Sequence, residues 1–147
     1  MSASIQPYQT DFKEQLISVW EKSVRDTHDF LRAPDIDYYK EIVNKIDFTA
    51  FPVYCVLCND AVIGFIAVAD KKIEMLFISP EYTRKGYGQL LIDYARKQLF
   101  ADTVDVNEQN LQAVNFYVKN GFIRYDRTDT DSEGKPYPIL KMKFSKS

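Results

Sequence analysis

The stretch that most constrains the fold is a short loop with two glycines, Thr83-Arg84-Lys85-Gly86-Tyr87-Gly88-Gln89. This loop lies between an apolar, strand-like run from Met75 to Ile78 and a helix-like run from Leu90 to Phe100. Glycine has no Cβ atom and tolerates a positive φ angle, so the backbone of such a loop can approach a ligand closely. A helix that begins at the second glycine directs unpaired N–H groups, and the positive end of its dipole, at the same loop. The pattern therefore predicts a site for a phosphate or pyrophosphate group.

The charges of the loop support an anionic ligand. Arg84 and Lys85 place two cations here, whereas the whole chain carries a formal net charge of −2, so the positive potential is local. The spacing excludes two common phosphate loops. A dinucleotide fingerprint needs a third glycine where this chain has Leu91, and a Walker loop needs Gly-Lys followed by Ser or Thr.

The loop instead resembles the Arg/Gln-x-x-Gly-x-Gly/Ala loop of the GNAT superfamily of N-acetyltransferases, which holds the pyrophosphate of coenzyme A. The match is partial, because Thr83 stands where the family has Arg or Gln. A second segment, from Asn110 to Phe122, is similar to the family pattern Asn-x-x-Ala-x-x-Phe-Tyr-x-x-x-Gly-Phe. Both matches occur in the order and at the separation that the family shows, so the chain resembles a small, single-domain bacterial member.

Size and composition suit one domain over residues 1–147, because a chain of 147 residues with 46% hydrophobic content supports a single core. No run approaches the about 18 apolar residues of a membrane helix, and the first residues lack the basic and apolar regions of a signal peptide. We therefore expect a cytoplasmic protein that does not bind membranes. The basic pairs are scattered rather than concentrated on one face, which argues against a nucleic acid partner.

The two cysteines, Cys55 and Cys58, do not predict a metal site. A structural zinc ion takes four ligands, and the chain has two Cys and one His, His28. The residues around the cysteines are typical of a strand, in which positions three apart face opposite sides. We expect both to be small, half-buried apolar residues.

The first third of the chain predicts a short strand from Ser4 to Tyr8, followed by two helices. Thr10 or Asp11 is expected to cap the first helix. The apolar stripe of that helix, at i, i+4 spacing, consists of Phe12, Leu16, Trp20 and Val24. Pro34 suits the first turn of the second helix. Its expected stripe consists of Tyr38, Ile42 and Ile46.

The remainder predicts more strands. An antiparallel meander is indicated for Val53 to Leu57, Val62 to Val68 and Lys72 to Ile78, with turns at Asn59-Asp60 and Asp70-Lys71. The later elements are the helix Gly88 to Phe100, the strand Thr103 to Val106, the helix Asn110 to Asn120 and a hairpin turning at Ser132 to Gly134. The resemblance implies an α+β fold: a central mixed, mostly antiparallel sheet of about seven strands, flanked by about four helices and splayed between strands four and five.

The resemblance also implies how acetyl-CoA, the co-substrate, is bound. Two neighbouring parallel strands, Lys72 to Ile78 and Thr103 to Val106, part and leave N–H and C=O groups unpaired, and the pantetheine arm pairs with them. By the same resemblance, the backbone of Leu76 to Ile78 lines the arm and offers an N–H to the thioester carbonyl. The implied coenzyme contacts are Leu76, Phe77, Ile78, Thr83, Arg84, Lys85, Gly86, Tyr87, Gly88, Gln89, Asn110 and Tyr117.

Three residues are candidates for catalysis. Tyr117 matches the family tyrosine that gives a proton to the departing sulfur. Asp105 and Glu74 are alternative bases for the amine; either carboxylate needs a raised pKa to work well near neutrality, and removal of the proton through water stays open. Asn110 matches a residue that contacts the arm near the sulfur or caps its helix, and the sequence does not separate these roles.

The acceptor substrate is the part of the function that the sequence predicts least clearly. The family's acceptor site borders the connection that here contains His28 and Phe30, and the hairpin with Tyr137 is the other candidate wall. These residues suit a small amine or a peptide amine, which attacks the thioester directly in a ternary complex. We expect the protein to be a monomer or a homodimer. The alternative is a regulatory module that binds coenzyme A without transfer; Thr83 is compatible with it, whereas Tyr117 favours the enzyme.

Overall fold

The structure is a computed structural model that describes residues 3–145, so the ends of the predicted domain, residues 1–147, lie outside the described residues. In this range the elements are β1 (Ala3–Pro7), α1 (Lys13–Thr27), α2 (Ala33–Asn44), β2 (Val53–Cys58), β3 (Ala61–Ala69), β4 (Lys72–Ile78), α3 (Tyr87–Gln98), β5 (Thr103–Asn107), α4 (Leu111–Lys119), β6 (Phe122–Thr128) and β7 (Ile139–Phe144). Residues 3–145 thus form a seven-stranded sheet in the order β1-β2-β3-β4-β5-β7-β6. The predicted α+β class is confirmed.

The sheet has a separate apolar core on each face. One core packs α1 and α2 against the sheet, with Leu16 and Trp20 buried beside Phe65. The other packs α3 and α4, with Leu91 and Tyr117 as central residues. The two cysteines lie in opposite cores, which confirms the predicted alternation. Both are fully buried rather than half-buried.

The helices differ from the sequence prediction in two details. Thr10 and Asp11 do not cap α1, because Thr10–Phe12 forms one 3-10 turn and Phe12 takes the N-cap position. The buried apolar residues of α2 are Ile36 and Val43. Tyr38 was wrongly placed in the buried stripe and is 41% exposed, because the face that meets the sheet is set by packing and not by the spacing of apolar residues alone. Among residues 3–145, no helix is both long and apolar enough to cross a membrane.

The meander β2-β3-β4 follows the prediction. Its two turns, Asn59-Asp60 and Asp70-Lys71, have φ angles of 51° and 66° in both cases. Two successive positive φ angles define the hairpin turn whose twist matches that of the flanking strands. Asn and Asp tolerate this conformation, which explains why these turns were readable from the sequence.

A bulge in β4 and a short parallel pairing open the sheet in its middle. Ala67 pairs with Met75 and Val68 pairs with Ile73, so Glu74 is the extra residue of the bulge. The parallel register of β4 and β5 joins Lys72 to Thr103 and Ile73 to Val104 and extends no further. A bulge bends its strand, and here the bend coincides with the point where the strands separate. The predicted splay between strands four and five is confirmed.

Candidate active site

The glycine loop forms the N-terminus of α3. Gly86 takes the N-cap position with φ of +89°, and Arg84 also has a positive φ, 62°. The helix therefore begins at Tyr87, one residue earlier than predicted. The described residues provide no side-chain cap for α3, and its first turn contains no acidic residue. Its free N–H groups and dipole can therefore face an anion.

Gly88 lies where α3 packs on α4. A Cβ atom there would lie 3.5 Å from the Phe116 ring, an ordinary van der Waals distance. Gln89 links the same helices, because its side-chain amide donates to Asp93 at 2.9 Å and to Asn120 at 2.7 Å. The loop is thus held against the helix that carries Tyr117.

A cavity of about 460 Å³ lies between the glycine loop, the end of β4 and α4; we call it the loop cavity. The predicted coenzyme contacts that line it are Leu76, Phe77, Ile78, Thr83, Arg84, Gly86, Gly88, Gln89, Asn110 and Tyr117. Lys85 and Tyr87 are not among its lining residues. Lys85 is exposed, and Tyr87 packs against Tyr82 with ring centroids 6.3 Å apart.

A smaller cleft of about 110 Å³ occupies the gap between β4 and β5; we call it the strand cleft. Tyr117 lines both the strand cleft and the loop cavity. Its side chain is buried, and this burial raises the pKa of its hydroxyl above the ordinary value. Within residues 3–145 no hydrogen bond to this hydroxyl is found, so a protonated donor is available where the cavities meet.

Asn110 caps α4. Its Oδ1 atom accepts from the Ala113 backbone N–H at 3.2 Å, and its Nδ2 atom lies 3.4 Å from Nε2 of His28. The capping alternative is therefore observed. Asn110 also lines the loop cavity and the strand cleft, so the contact with a pantetheine arm stays a prediction.

The two candidate bases have different surroundings. Asp105 accepts from Lys72 Nζ at 2.7 Å and lies 3.8 Å from Lys141 Nζ. Glu74 is exposed and has no hydrogen bond or ion pair with other residues in the range 3–145. Both line the strand cleft. Glu74 is thus the carboxylate that is free to meet an incoming cation.

On the other face of the sheet, a cavity of about 670 Å³ lies beneath α2; we call it the α2 cavity. Its wall is largely apolar and includes Met75 and Phe77. It also contains three carboxylates, Glu74, Asp131 and Glu133. Hydroxyls of α2 hold the last two: Tyr39 donates to Asp131, and Tyr38 donates to Glu133 at 2.8 Å.

The side-chain rings of the predicted acceptor residues His28, Phe30 and Tyr137 lie in a row, with tilted and edge-to-face contacts. Ring centroids are 5.2 Å apart for His28 and Phe30, and 6.1 Å apart for Phe30 and Tyr137. His28 lines all three named cavities, whereas Phe30 and Tyr137 line none of the three. The structure therefore brings the three rings together but presents His28 alone to the cavities.

Tyr137 makes a contact that the sequence did not reveal. Its buried hydroxyl donates to Asp35 in the first turn of α2, and Lys135 Nζ lies 3.0 Å from the same carboxylate. These bonds, that of Tyr137 first, lower the pKa of Asp35. The only sequence signal was an acid in a first helical turn, a favourable place in any helix. Tyr137 and Lys135 thus tie the β6–β7 loop to α2.

Comparisons with known proteins point to one family. The family model described as the acetyltransferase (GNAT) domain matches residues 35–145. The peptidyl-lysine N-acetyltransferase YjaB of Escherichia coli strain K12 is 35% identical over 144 residues, which are 98% of this chain and 98% of that protein. The solution structure of apo YjaB from E. coli superposes with a TM-score of 0.89 at 33% identity, over 100% of both chains.

The structure of a second relative contains coenzyme A. The crystal structure of the PaiA N-acetyltransferase from Thermoplasma acidophilum in complex with coenzyme A has a TM-score of 0.74 and 26% identity, over 98% of this chain and 100% of that one. The chain belongs to the GNAT family and is an N-acetyltransferase that transfers acetyl to an amine. The alternative of a binding module without transfer is therefore not retained.

Proposed function

We propose that the protein transfers acetyl from acetyl-CoA to the ε-amino group of lysine in peptides. One observation carries the proposal: the strand cleft shares lining residues with both neighbours, Tyr117 with the loop cavity and Glu74 with the acidic α2 cavity. The names of the relatives support both the proposed acceptor and the proposed donor. The E. coli relative is a peptidyl-lysine acetyltransferase, and the Thermoplasma relative is in complex with coenzyme A.

The donor half uses the loop cavity. The uncapped N–H groups at the start of α3 suit the pyrophosphate of acetyl-CoA, and Arg84 adds positive charge at the cavity wall. The pantetheine arm then extends along β4 towards the strand cleft, where β4 and β5 no longer pair. A main-chain N–H of β4 would stabilise the developing oxyanion, and such a donor is typically worth about 2.7 to 4 kcal/mol.

The acceptor half uses the α2 cavity. Its carboxylates, Glu74, Asp131 and Glu133, attract an ammonium group, and Met75 and Phe77 suit the methylene chain of lysine. Lys135 partly offsets this charge, but its ammonium pairs with Asp35. A peptide bearing a lysine side chain therefore fits better than an anionic acceptor.

The reaction needs three proton movements, two from the nitrogen and one to the sulfur. The lysine ammonium, with a pKa near 10.4, must lose a proton before it attacks, and Glu74 is our first candidate to receive it, with Asp105 as the alternative. The amine then forms a C–N bond with the thioester carbonyl carbon as the C–S bond breaks, and the nitrogen loses its second proton to water. Tyr117 gives its proton to the departing sulfur and regains one from water, so free coenzyme A and an amide are the products.

The test is acetyl transfer to a pair of Nα-acetylated peptides that differ in one position, lysine or arginine. We expect thiol release and ε-acetylation with the lysine peptide alone. A third peptide, with a free N-terminus and no lysine, separates ε-amine from α-amine transfer. Turnover with that peptide and none with the lysine peptide would contradict the proposed acceptor.

Two matched variants separate the candidate bases. Glu74→Gln and Asp105→Asn each remove one charge at nearly constant volume. We expect Glu74→Gln to lower kcat/KM by about 10² or more, and Asp105→Asn to act mainly on the ion pair with Lys72. The reverse order would assign the base to Asp105. A cytoplasmic location, a single domain and a monomer or homodimer stay predictions from the sequence.

A further inference from the structure

His28 occupies the point where the donor and acceptor sides of the site meet. It follows the last residue of α1 and lines the loop cavity, the strand cleft and the α2 cavity. Its two ring nitrogens have different partners: Nδ1 lies 2.7 Å from the Thr27 hydroxyl, and Nε2 lies 3.4 Å from Nδ2 of Asn110. These partners decide which nitrogen carries the proton.

Thr27 fixes the proton from one side. Its hydroxyl has a single proton, which it donates to the backbone carbonyl oxygen of Ser23 at 2.8 Å. A carbonyl oxygen can only accept, so the Thr27 oxygen must be the acceptor in its contact with His28. Nδ1 of His28 is therefore the donor and carries the proton.

Asn110 leads to the same result from the other side. Its Oδ1 atom accepts from the Ala113 N–H, which can only donate, so the amide orientation is set. The Nδ2 group then faces His28 as a donor, and Nε2 of His28 must accept from it. Two independent bonds thus define one tautomer, with the proton on Nδ1 and the free lone pair on Nε2.

The surroundings keep this imidazole neutral. Burial lowers the pKa of His28 to about 4, against a smaller opposing effect of Asp29. The other titratable groups that share the strand cleft with it are Glu74 of β4, Asp105 of β5 and Tyr117 of α4. At neutral pH His28 is therefore uncharged and offers Nε2 as a hydrogen-bond acceptor.

We propose that neutral His28 accepts a hydrogen bond at Nε2 from the attacking amine and thereby orients the amine lone pair at the thioester carbon. The inference rests on the proposed transfer to an amine in the α2 cavity. At 3.4 Å the bond from Asn110 is long, so an amine N–H can share or replace it. His28 takes no proton: the amine loses one to a carboxylate and points one of its remaining N–H bonds at Nε2.

The first experiment reads the tautomer directly by ¹⁵N NMR. The chain has a single histidine, so the two ring nitrogens need no assignment variants. At pH 7 we expect a protonated, pyrrole-type Nδ1 and an unprotonated, pyridine-type Nε2. A protonated Nε2, or an imidazolium with both nitrogens protonated, would overturn the proposal.

The same sample tests contact with an amine. Addition of n-butylamine in the presence of coenzyme A is expected to shift the Nε2 resonance and to leave Nδ1 nearly unchanged, because Nδ1 stays bonded to Thr27. Equal shifts of both nitrogens, or none at saturating amine, would contradict the proposed contact. This measurement needs no turnover, so it stays readable even if lysine peptides prove not to be the acceptor.

Variants test the effect on rate. His28→Leu replaces the imidazole with an apolar side chain that has no hydrogen-bond acceptor. His28→Gln retains an acceptor, the carbonyl oxygen of its side-chain amide. We expect His28→Leu to lower kcat/KM for the lysine peptide roughly tenfold, with His28→Gln retaining more activity. Acetyl-CoA stabilisation should be unchanged in both. Asp26→Asn, at an exposed carboxylate of α1, serves as the control. A kcat/KM of His28→Leu equal to that of the parent would show that other groups orient the amine. Absence of turnover in the parent protein would instead contradict the proposed function.

Discussion

Burial acts on two side chains of the strand cleft with complementary results. It raises the pKa of Tyr117 and lowers that of His28, because a low-dielectric environment disfavours the charged form of either group. At neutral pH the tyrosine therefore keeps its proton and the imidazole lacks a second one. In the proposed reaction, Tyr117 is thus the proton donor for the leaving thiolate and His28 the neutral acceptor for the amine.

Removal of the Tyr117 hydroxyl tests the donor. Tyr117→Phe keeps the ring packed against Phe116 and Phe122, so acetyl-CoA affinity should change little. The single-turnover rate should fall by about 10² to 10⁴ if proton transfer to sulfur limits that step. Tyr125→Phe, an exposed tyrosine on β6, is the matched control. A parent-like rate in Tyr117→Phe, with an unaltered pH profile, would assign the proton to water.

His28 should also make stability depend on pH. Its pKa is near 6.5 in the unfolded chain and about 4 in the fold, so the unfolded state binds more protons between these values. The stability from this group is therefore present above pH 6.5 and is lost as the pH falls towards 4. Between pH 7 and pH 5 we expect the parent to lose about 2 kcal/mol of unfolding free energy from His28 alone.

Urea unfolding at both pH values, on the parent and on His28→Gln, measures this contribution. The variant should lack the loss, because glutamine does not titrate. Carboxylates with lowered pKa values, such as Asp35 and Glu108, lose their contribution at still lower pH and act equally in both proteins. Identical pH dependence in parent and variant would mean that His28 is protonated as easily in the fold as in the unfolded chain.

At the scale of elements, the N-termini of α3 and α4 are built for different purposes. Asn110 caps α4 from within the chain, whereas α3 begins at Gly86 without a side-chain cap from the described residues. An uncapped helix start facing a cavity leaves its N–H groups for a ligand. The contrast supports the placement of the coenzyme phosphates at α3.

Gly86→Val tests that placement. Acetyl-CoA at a hundredfold excess over Kd should stabilise the parent by about 2.7 kcal/mol. Valine places a branched side chain where the backbone must approach the ligand, so the variant should lose this gain. Gly134→Val is the matched control, because Gly134 also has a positive φ, 76°, and open space around its Cβ position. Both variants carry a similar backbone strain, of roughly 1–2 kcal/mol, so their difference reports on the ligand. If Gly86→Val retains the increase in melting temperature that acetyl-CoA causes in the parent, the phosphates bind elsewhere.

What the sequence predicted, and what it missed, divides between local and distant causes. The meander turns, the glycine loop and the helix of Tyr117 were readable, because turn residues and short spacings act within a few positions. The bulge at Glu74 was not, since it depends on the register of β4 against β3. The contacts of Tyr137 and Tyr39 with Asp35 and Asp131 join residues about a hundred positions apart, and the sequence carries no pattern over that distance.

At the scale of the whole molecule, the α2 cavity is bounded by two segments that are distant in sequence, α2 and the β6–β7 loop. The helix α2 and the β6–β7 loop meet through the tyrosine hydroxyls of α2 and of Tyr137. A second contact lies where the β6–β7 loop begins. Arg127 forms an ion pair at 2.6 Å with Glu108, which lies in the turn that leads into α4. The β6–β7 loop is thus paired both with α2 and with the β5–α4 turn.

Tyr137→Phe tests whether this fastening shapes the acceptor side. The variant keeps the ring against Phe30 but removes the buried bond to Asp35, leaving the loop attached by Lys135 and by the bonds of α2 tyrosines. We expect the KM for a lysine peptide to rise about tenfold, by analogy with the loss of one hydrogen bond to a charged group. Single-turnover rate at saturating peptide and acetyl-CoA stabilisation should stay near the parent values. The matched control is Tyr38→Phe, which removes an exposed hydroxyl that reaches the same loop through Glu133, and which should have a smaller effect because solvent replaces an exposed bond. Equal KM values for the parent and Tyr137→Phe, or a fall in acetyl-CoA affinity, would show that the loop is positioned without this bond or that the bond serves the donor side.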